Sequence, residues 1–276
     1  VAYSLTQPTV RQLEKSCYNG VWTDWREVAH KDDLTPAQGA GSHNAVYRGK
    51  YLGNAVTDAQ YAAITAGSFD DLFIGDYWTI GGVNYRIAAF DYFYRSGDAE
   101  LTKHHVVIVP DTSFYNAQMN SQDVAIGGYA GSLMRTTNLA NAKDTINDAF
   151  PGHVLTHRQY FTTGVAASTG IPITGAWSDS SVEIMSEIMV YGSYSFAPTS
   201  SPTTNGTTIP VNYTISKSQL PLFSFRPDLI SNRISYWLRD IVSAQNYANV
   251  NALGYTYYNG ASTNYGVRPA FSIFGA

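Results

Sequence analysis

"ISYWLRDIVSAQNYANVNALGYTYYNGASTNYGVRPAF", residues 234–271, sets two kinds of sequence side by side. Its flanks, ISYWLRD and YGVRPAF, are core-like. Between them no charged residue occurs from Ile241 to Val267, and Tyr and Asn supply ten of the 23 positions from Ser243 to Tyr265. Tyr, Asn, Ser and Gly are the residues that binding loops use, because Tyr gives wide amphipathic contact at low entropic cost while the others adapt their hydrogen bonds. In an extended segment Asn249, Asn251, Leu253, Tyr255, Tyr257 and Asn259 share one face, with small or aliphatic residues between them. The composition predicts that one face packs and the other is displayed. The competing reading is a set of tyrosines that simply fill a β core.

Outward from this stretch, the chain of 276 residues is 44% hydrophobic and only 14% charged, with a net charge of -4. Such a length can bury a large core, and no apolar run approaches the roughly 18 residues of a membrane span. No basic run is present to neutralise phosphates, which argues against nucleic acid as a partner. The single cysteine, Cys17, excludes an internal disulfide and CxxC chemistry. The sequence opens at Val1 with no hydrophobic signal region, as a processed or truncated piece of a longer protein would.

The order of elements predicts α+β. Residues 9–29 carry apolar positions at roughly helical spacing, broken at Asn19-Gly20, and so predict two short helices or a helix and a turn. Residues 35–44 read as a linker. Residues 1–40 thus form a helical attachment or oligomerisation element, and 41–276 a single domain. Thr57 offers an N-cap to AQYAAITAG, with Gly67 as its stop. YWTIGGVNYRIAAF reads as a hairpin turning at Gly81-Gly82, and HHVVIVP as a strand. Residues 132–150 fit an amphipathic helix or a broken pair, and SSVEIMSEIMVYG a helix capped by Ser180 or Ser181. Residues 197–210, rich in Pro, Ser and Thr, predict an exposed loop.

Several features invite an enzyme or a metal and are better explained structurally. His153 and His157 are four apart but follow Gly152 and lack the HExxH glutamate. His104 and His105, adjacent in an expected strand, point to opposite faces. Gly127-Gly128 leads into no phosphate-loop pattern. Glu183 and Glu187 suit the start of a helix through its dipole. The sequons at Asn205 and Asn212 say nothing without a secretory context.

The flanking motifs carry a resemblance. ISYWLRD followed by the terminal YGVRPAF resembles the close of C-type-lectin-like domains of the formylglycine-generating-enzyme type. More specifically, the tail is similar to the variable proteins of diversity-generating retroelements, such as phage tropism determinants. YRGKYLG, FDDLFIGDYWTIGGVNYRIAAFDYFY, LTKHHVVIVPD and MVYG resemble phage receptor-binding proteins carrying that domain. The likeness spans about residues 44–276. It implies a C-type-lectin-like fold of short helices and a mixed antiparallel sheet, and a non-enzymatic receptor-binding protein on the virion surface. It further implies a homotrimer that contacts a host surface protein or polysaccharide, with no membrane insertion.

In such systems adenines are randomised chiefly within AAC codons, and NNC codons cannot encode Lys, Glu, Gln, Met or Trp. None of these occurs from Asn246 to Tyr265. The resemblance implies a variable region of about 243–265. It assigns ligand contact to Asn249, Asn251, Ala252, Leu253, Tyr255, Tyr257, Asn259, Gly260, Thr263 and Tyr265. Trp237, Arg239, Gly266, Arg268 and Phe271 fall to the scaffold, with the two arginines partly buried against backbone carbonyls or a distant acid. The enzymes of this fold class use a cysteine pair that this chain lacks. The lectin motifs that hold calcium and sugar are also missing, AWSDS being the nearest approach. No cofactor is expected, although structural calcium elsewhere stays open, as do a non-diversified carbohydrate-binding lectin and a virion decoration protein.

Overall fold

The computed structural model describes residues 39–197 and 218–275, together with short strands at 2–3, 12–14, 17–18, 21–22, 26–27, 203–204 and 207–208. Residues 39–197 and 218–275 form a mixed α and β assembly with five short α-helices, two larger sheets and a long ribbon. The larger sheet has six strands in the order Val182–Ile184, Pro269–Ile273, Val106–Pro110, Val83–Phe90, Tyr77–Ile80, Tyr51–Gly53. The second has five, Asn116–Ala117, Tyr265–Gly266, Tyr236–Ile241, Asn246–Val250 and Thr256–Gly260. His157–Val165 and Pro172–Ser180 pair as the ribbon.

Local chemistry explains much of this. Thr57 and Gln60 form a reciprocal capping box, and the helix Asp58–Ala66 stops at Gly67 in the left-handed conformation. The hairpin of Tyr77–Ile80 with Val83–Phe90 turns at Gly81 and Gly82, both at positive φ (57° and 80°), which glycine adopts without penalty. Residues 132–150 take the broken-pair form, a π-helical turn at Met134–Asn138 followed by the helix Ala140–Ala149.

The strand Tyr236–Ile241 is buried along its whole length. Its side chains alternate between two cores: Tyr236 and Leu238 join the larger cluster with Trp78, Tyr85 and Phe271, while Trp237 and Ile241 join a second with Tyr129, Phe161 and Tyr247. One strand is therefore the wall common to both cores.

Three expectations are corrected. The described pieces of residues 9–29 are strands at 12–14, 17–18, 21–22 and 26–27, not helices. Cys17–Tyr18 pairs with Val21–Trp22, so strand pairing prevails there over the helical spacing of the apolar residues. Part of the supposed linker, Ala40–His43, is a helical turn with His43 buried. In SSVEIMSEIMVYG only Glu187–Tyr191 is helical, capped by Ser186; Val182–Ile184 pairs with Pro269–Phe271 instead, a tertiary partner overriding local spacing. Of the loop expected at 197–210, the described residues are Ala197 and two short strands, Thr203–Thr204 and Thr207–Thr208, which pair with each other.

Candidate functional site

The neutral segment folds as an antiparallel hairpin on the buried wall. Asn246–Val250 pairs with Tyr236–Ile241 on one side and with Thr256–Gly260 on the other, so it is a central strand and Thr256–Gly260 an edge. The difference decides exposure. Tyr247 and Val250 are sealed, whereas Leu253 is 77% exposed, Tyr255 66% and Tyr257 50%.

The connecting turn is built by Asn251. Its backbone N–H donates to the Tyr255 carbonyl (2.8 Å), and its side-chain Oδ1 accepts from the N–H groups of Leu253 (2.9 Å) and Tyr255 (3.0 Å). This is the Asx geometry that makes Asn a turn residue. Gly254, at φ 91°, completes it. Two hydroxyls from outside hold the turn, Ser231 on the Ala252 carbonyl (2.9 Å) and Tyr191 on that of Gly254 (3.0 Å).

Of the ten expected contact residues, Ala252, Leu253, Tyr255 and Tyr257 are exposed. Asn251, Asn259, Gly260, Thr263 and Tyr265 are half-buried, the last packed on Trp237 with ring centroids 5.1 Å apart. Asn249 contradicts the expected alternation: it is 1% exposed, because its strand is covered on both faces from Tyr247 to Val250. Its Nδ2 donates to Asn259 Oδ1 (3.1 Å). At Gly260 the Asp123 carboxylate lies where a side chain would begin, 2.4 Å from an ideal Cβ. There Asp123 Oδ1 accepts from the N–H (2.8 Å) and hydroxyl (2.7 Å) of Ser262, bonds that hold its carboxyl below the usual carboxylate range.

Two exposed aromatics escaped the sequence reading. Tyr258 is outside the set expected on the displayed face, yet it is 38% exposed, since an edge strand leaves both faces partly open. Phe196, from a distant loop, lies edge-on to Tyr258 with centroids 5.0 Å apart, and Tyr257 and Tyr258 stack at 5.4 Å. Tyr258 was visible as a neighbour of Tyr257; nothing in the sequence signals Phe196.

Beneath the hairpin the scaffold residues are buried. Trp237 donates its Nε1 proton to the Ala117 carbonyl (2.9 Å). Arg268 donates to the carbonyls of Pro110 (2.9 Å), Leu229 (3.0 Å) and Ile230 (2.9 Å), the acceptors that a buried guanidinium requires. Arg239 donates to Gln159 (2.8 Å) and lies over the Phe161 ring. Asp240, on the opposite face, accepts from the Glu187 N–H, and desolvation followed by the Glu187 charge pushes its carboxyl up to about 7. Gly266 and Phe271 are likewise buried.

The acid pair and the His104–His105 pair resolve differently from expectation. Glu183 lies on a strand, accepting from Tyr129 (2.6 Å) and Arg135 (3.1 Å), so it shares no helix with Glu187. His104 and His105 converge on Asp91 after all: the His104 ring meets it at 2.7 Å, and the His105 backbone N–H at 2.9 Å. Both residues precede the strand Val106–Pro110, so strict alternation does not apply to them. His153 stacks on Tyr61, while His157 is buried beside Phe93, where desolvation lowers its pKa to about 3. Among the described residues no three of His, Cys, Asp or Glu gather as metal ligands.

Comparison with protein-family models, with curated proteins and with solved structures finds no match to this chain.

Proposed function

We propose that this chain is a non-enzymatic receptor-binding protein of a phage, with a C-type-lectin-like domain that displays Leu253, Tyr255 and Tyr257 to a ligand on the host surface. The observation that carries the reading is the contrast within one sheet. An uncharged, Tyr-rich edge hairpin stands exposed on a strand buried on both faces. Such a frame lets the crest vary at little cost to stability, since surface substitutions are usually worth within about 0.5 kcal/mol. The same reading makes the hairpin the product of a diversity-generating retroelement and the protein a trimer on the virion, gaining avidity from repeated weak contacts.

The test is retention of host surface fractions on the immobilised protein and on the Tyr255→Ala/Tyr257→Ala variant. Loss of retention with unchanged melting temperature supports display. Equal retention by both proteins would remove the hairpin from the binding surface. Protease or glycosidase treatment of the retained fraction distinguishes protein from polysaccharide. A near-copy of the codons for residues 240–270 beside a reverse transcriptase gene is the matching genetic observation.

A further inference from the structure

We infer that the ligand surface has a fixed aromatic anchor, Phe196, positioned by Glu187, and that its partner is an uncharged apolar patch of a protein. The inference rests on the receptor-binding reading and extends it to a residue outside the variable hairpin. Phe196 is 39% exposed and meets Tyr258 and Tyr257 edge-on, at 66° and 76°. With the Tyr257–Tyr258 stack it makes one continuous aromatic surface drawn from two separate segments. Contiguous exposed aromatic area of this kind marks interaction sites, where isolated apolar residues do not.

The loop carrying Phe196 is tied to the hairpin by one carboxylate. Glu187, fully buried, accepts from the N–H groups of Ser195 (3.4 Å), Phe196 (3.3 Å) and Ala197 (3.0 Å). The same carboxylate accepts from the Thr256 hydroxyl (2.7 Å), on the edge strand itself. Thr256, half-buried and paired with Val250, gives its hydroxyl to this link, so that group is already engaged. Glu187 is thus a positioning residue for Phe196.

Charge selects the partner. The hairpin carries no ionised side chain, the Glu187 carboxylate beneath it is buried and occupied, and the Asp123 carboxylate sits at Gly260, the end of the edge strand away from Leu253 and Tyr255, so a partner's charge over the crest would be desolvated without a counter-charge. A polysaccharide would lose water from its hydroxyls against Leu253 and Phe196, neither of which returns a hydrogen bond. An apolar protein patch meets neither penalty.

Two display libraries test this, both randomised at Ala252, Leu253, Tyr255 and Tyr257, one with Phe196 and one with Phe196→Ser. Each is selected on immobilised β-lactoglobulin as protein probe and on dextran as neutral polysaccharide. Clones of the first library on β-lactoglobulin are expected to lose about tenfold in affinity on Phe196→Ser, whatever their hairpin sequence, as a central aromatic contact does. Phe196→Leu should keep part of the affinity, and the melting temperature should be unchanged in both variants. In a Glu187→Gln background the Phe196→Ser loss should shrink, a coupling that a merely structural role for Glu187 would not produce. Clones indifferent to Phe196→Ser overturn the anchor while leaving hairpin display intact. An undiminished loss in Glu187→Gln overturns the positioning role. Clones on dextran alone overturn the partner class, and no clones on either probe sink the receptor-binding reading together with the anchor.

Discussion

Tyr236 and Tyr257 belong to one sheet, yet the first is fully sealed and the second half in water. Composition does not separate them; place in the sheet does. A strand covered on both faces fixes every residue it carries, Arg239 and Asp240 included, whereas an edge strand and its turn leave side chains free to differ. The buried wall and the open hairpin are therefore under opposite demands, and substitutions should expose the difference.

The largest effect belongs to the wall. Trp237→Ala should cost about 3–5 kcal/mol in denaturant unfolding, since it empties the second core and leaves the Ala117 carbonyl without its donor. A cost below about 1 kcal/mol, the level of an ordinary substitution, would end the claim that this strand is a common wall. Arg268→Ala should follow, at about 3 kcal/mol, because three backbone carbonyls, two of them in buried contacts, lose a charged donor at once. If Arg268 is frame and not ligand contact, it should weaken all hairpin variants alike.

Asp240 gives a smaller effect with a definite sign. Its folded pKa, near 7, stands above the ordinary 3.8, so the folded state holds the proton more tightly. The stability it contributes is complete below about pH 4 and is lost as pH rises through 7. His157, lowered from 6.5 to about 3, works in the opposite sense, its contribution being lost as pH falls below 6.5. Calorimetry of Asp240→Asn against the native protein should show a stability difference that grows in the variant's favour from pH 4 to 7, by at most ~1.4 kcal/mol per unit. A difference independent of pH would mean that Asp240 is ionised throughout.

The smallest effect is expected on the crest. Tyr255→Ala and Tyr257→Ala should each move unfolding free energy by no more than about 0.5 kcal/mol. A cost of several kcal/mol would make these tyrosines core and collapse the contrast.

What was legible in the sequence follows the same division. Thr57, Gly67 and Gly81-Gly82 announced a cap, a stop and a turn because their chemistry is local. The burial of the two arginines was implied by the resemblance of the flanking motifs; Arg268 takes the expected backbone carbonyls, whereas Arg239 donates to the Gln159 side chain. Asn249 was misplaced, and Tyr258 passed over, because alternation separates the two faces of a strand and says nothing of whether each face is covered. Val182–Ile184 looked helical because its partner, Pro269–Phe271, is remote in sequence. Phe196 was silent for the same reason, its meaning arising only from Glu187 and Tyr258.

The wall between the two cores also bears on how the domain comes apart. Trp237 and Leu238 are successive residues of one backbone, so neither core can melt while the other keeps its side of that strand. The domain is thus one cooperative unit, and the deepest amide protons of both cores, those of Trp237 and Val107, should exchange at a common rate set by global opening. The crest of the hairpin lies outside that unit in energy while remaining inside it in sequence, open to local fraying that the rest of the molecule does not register.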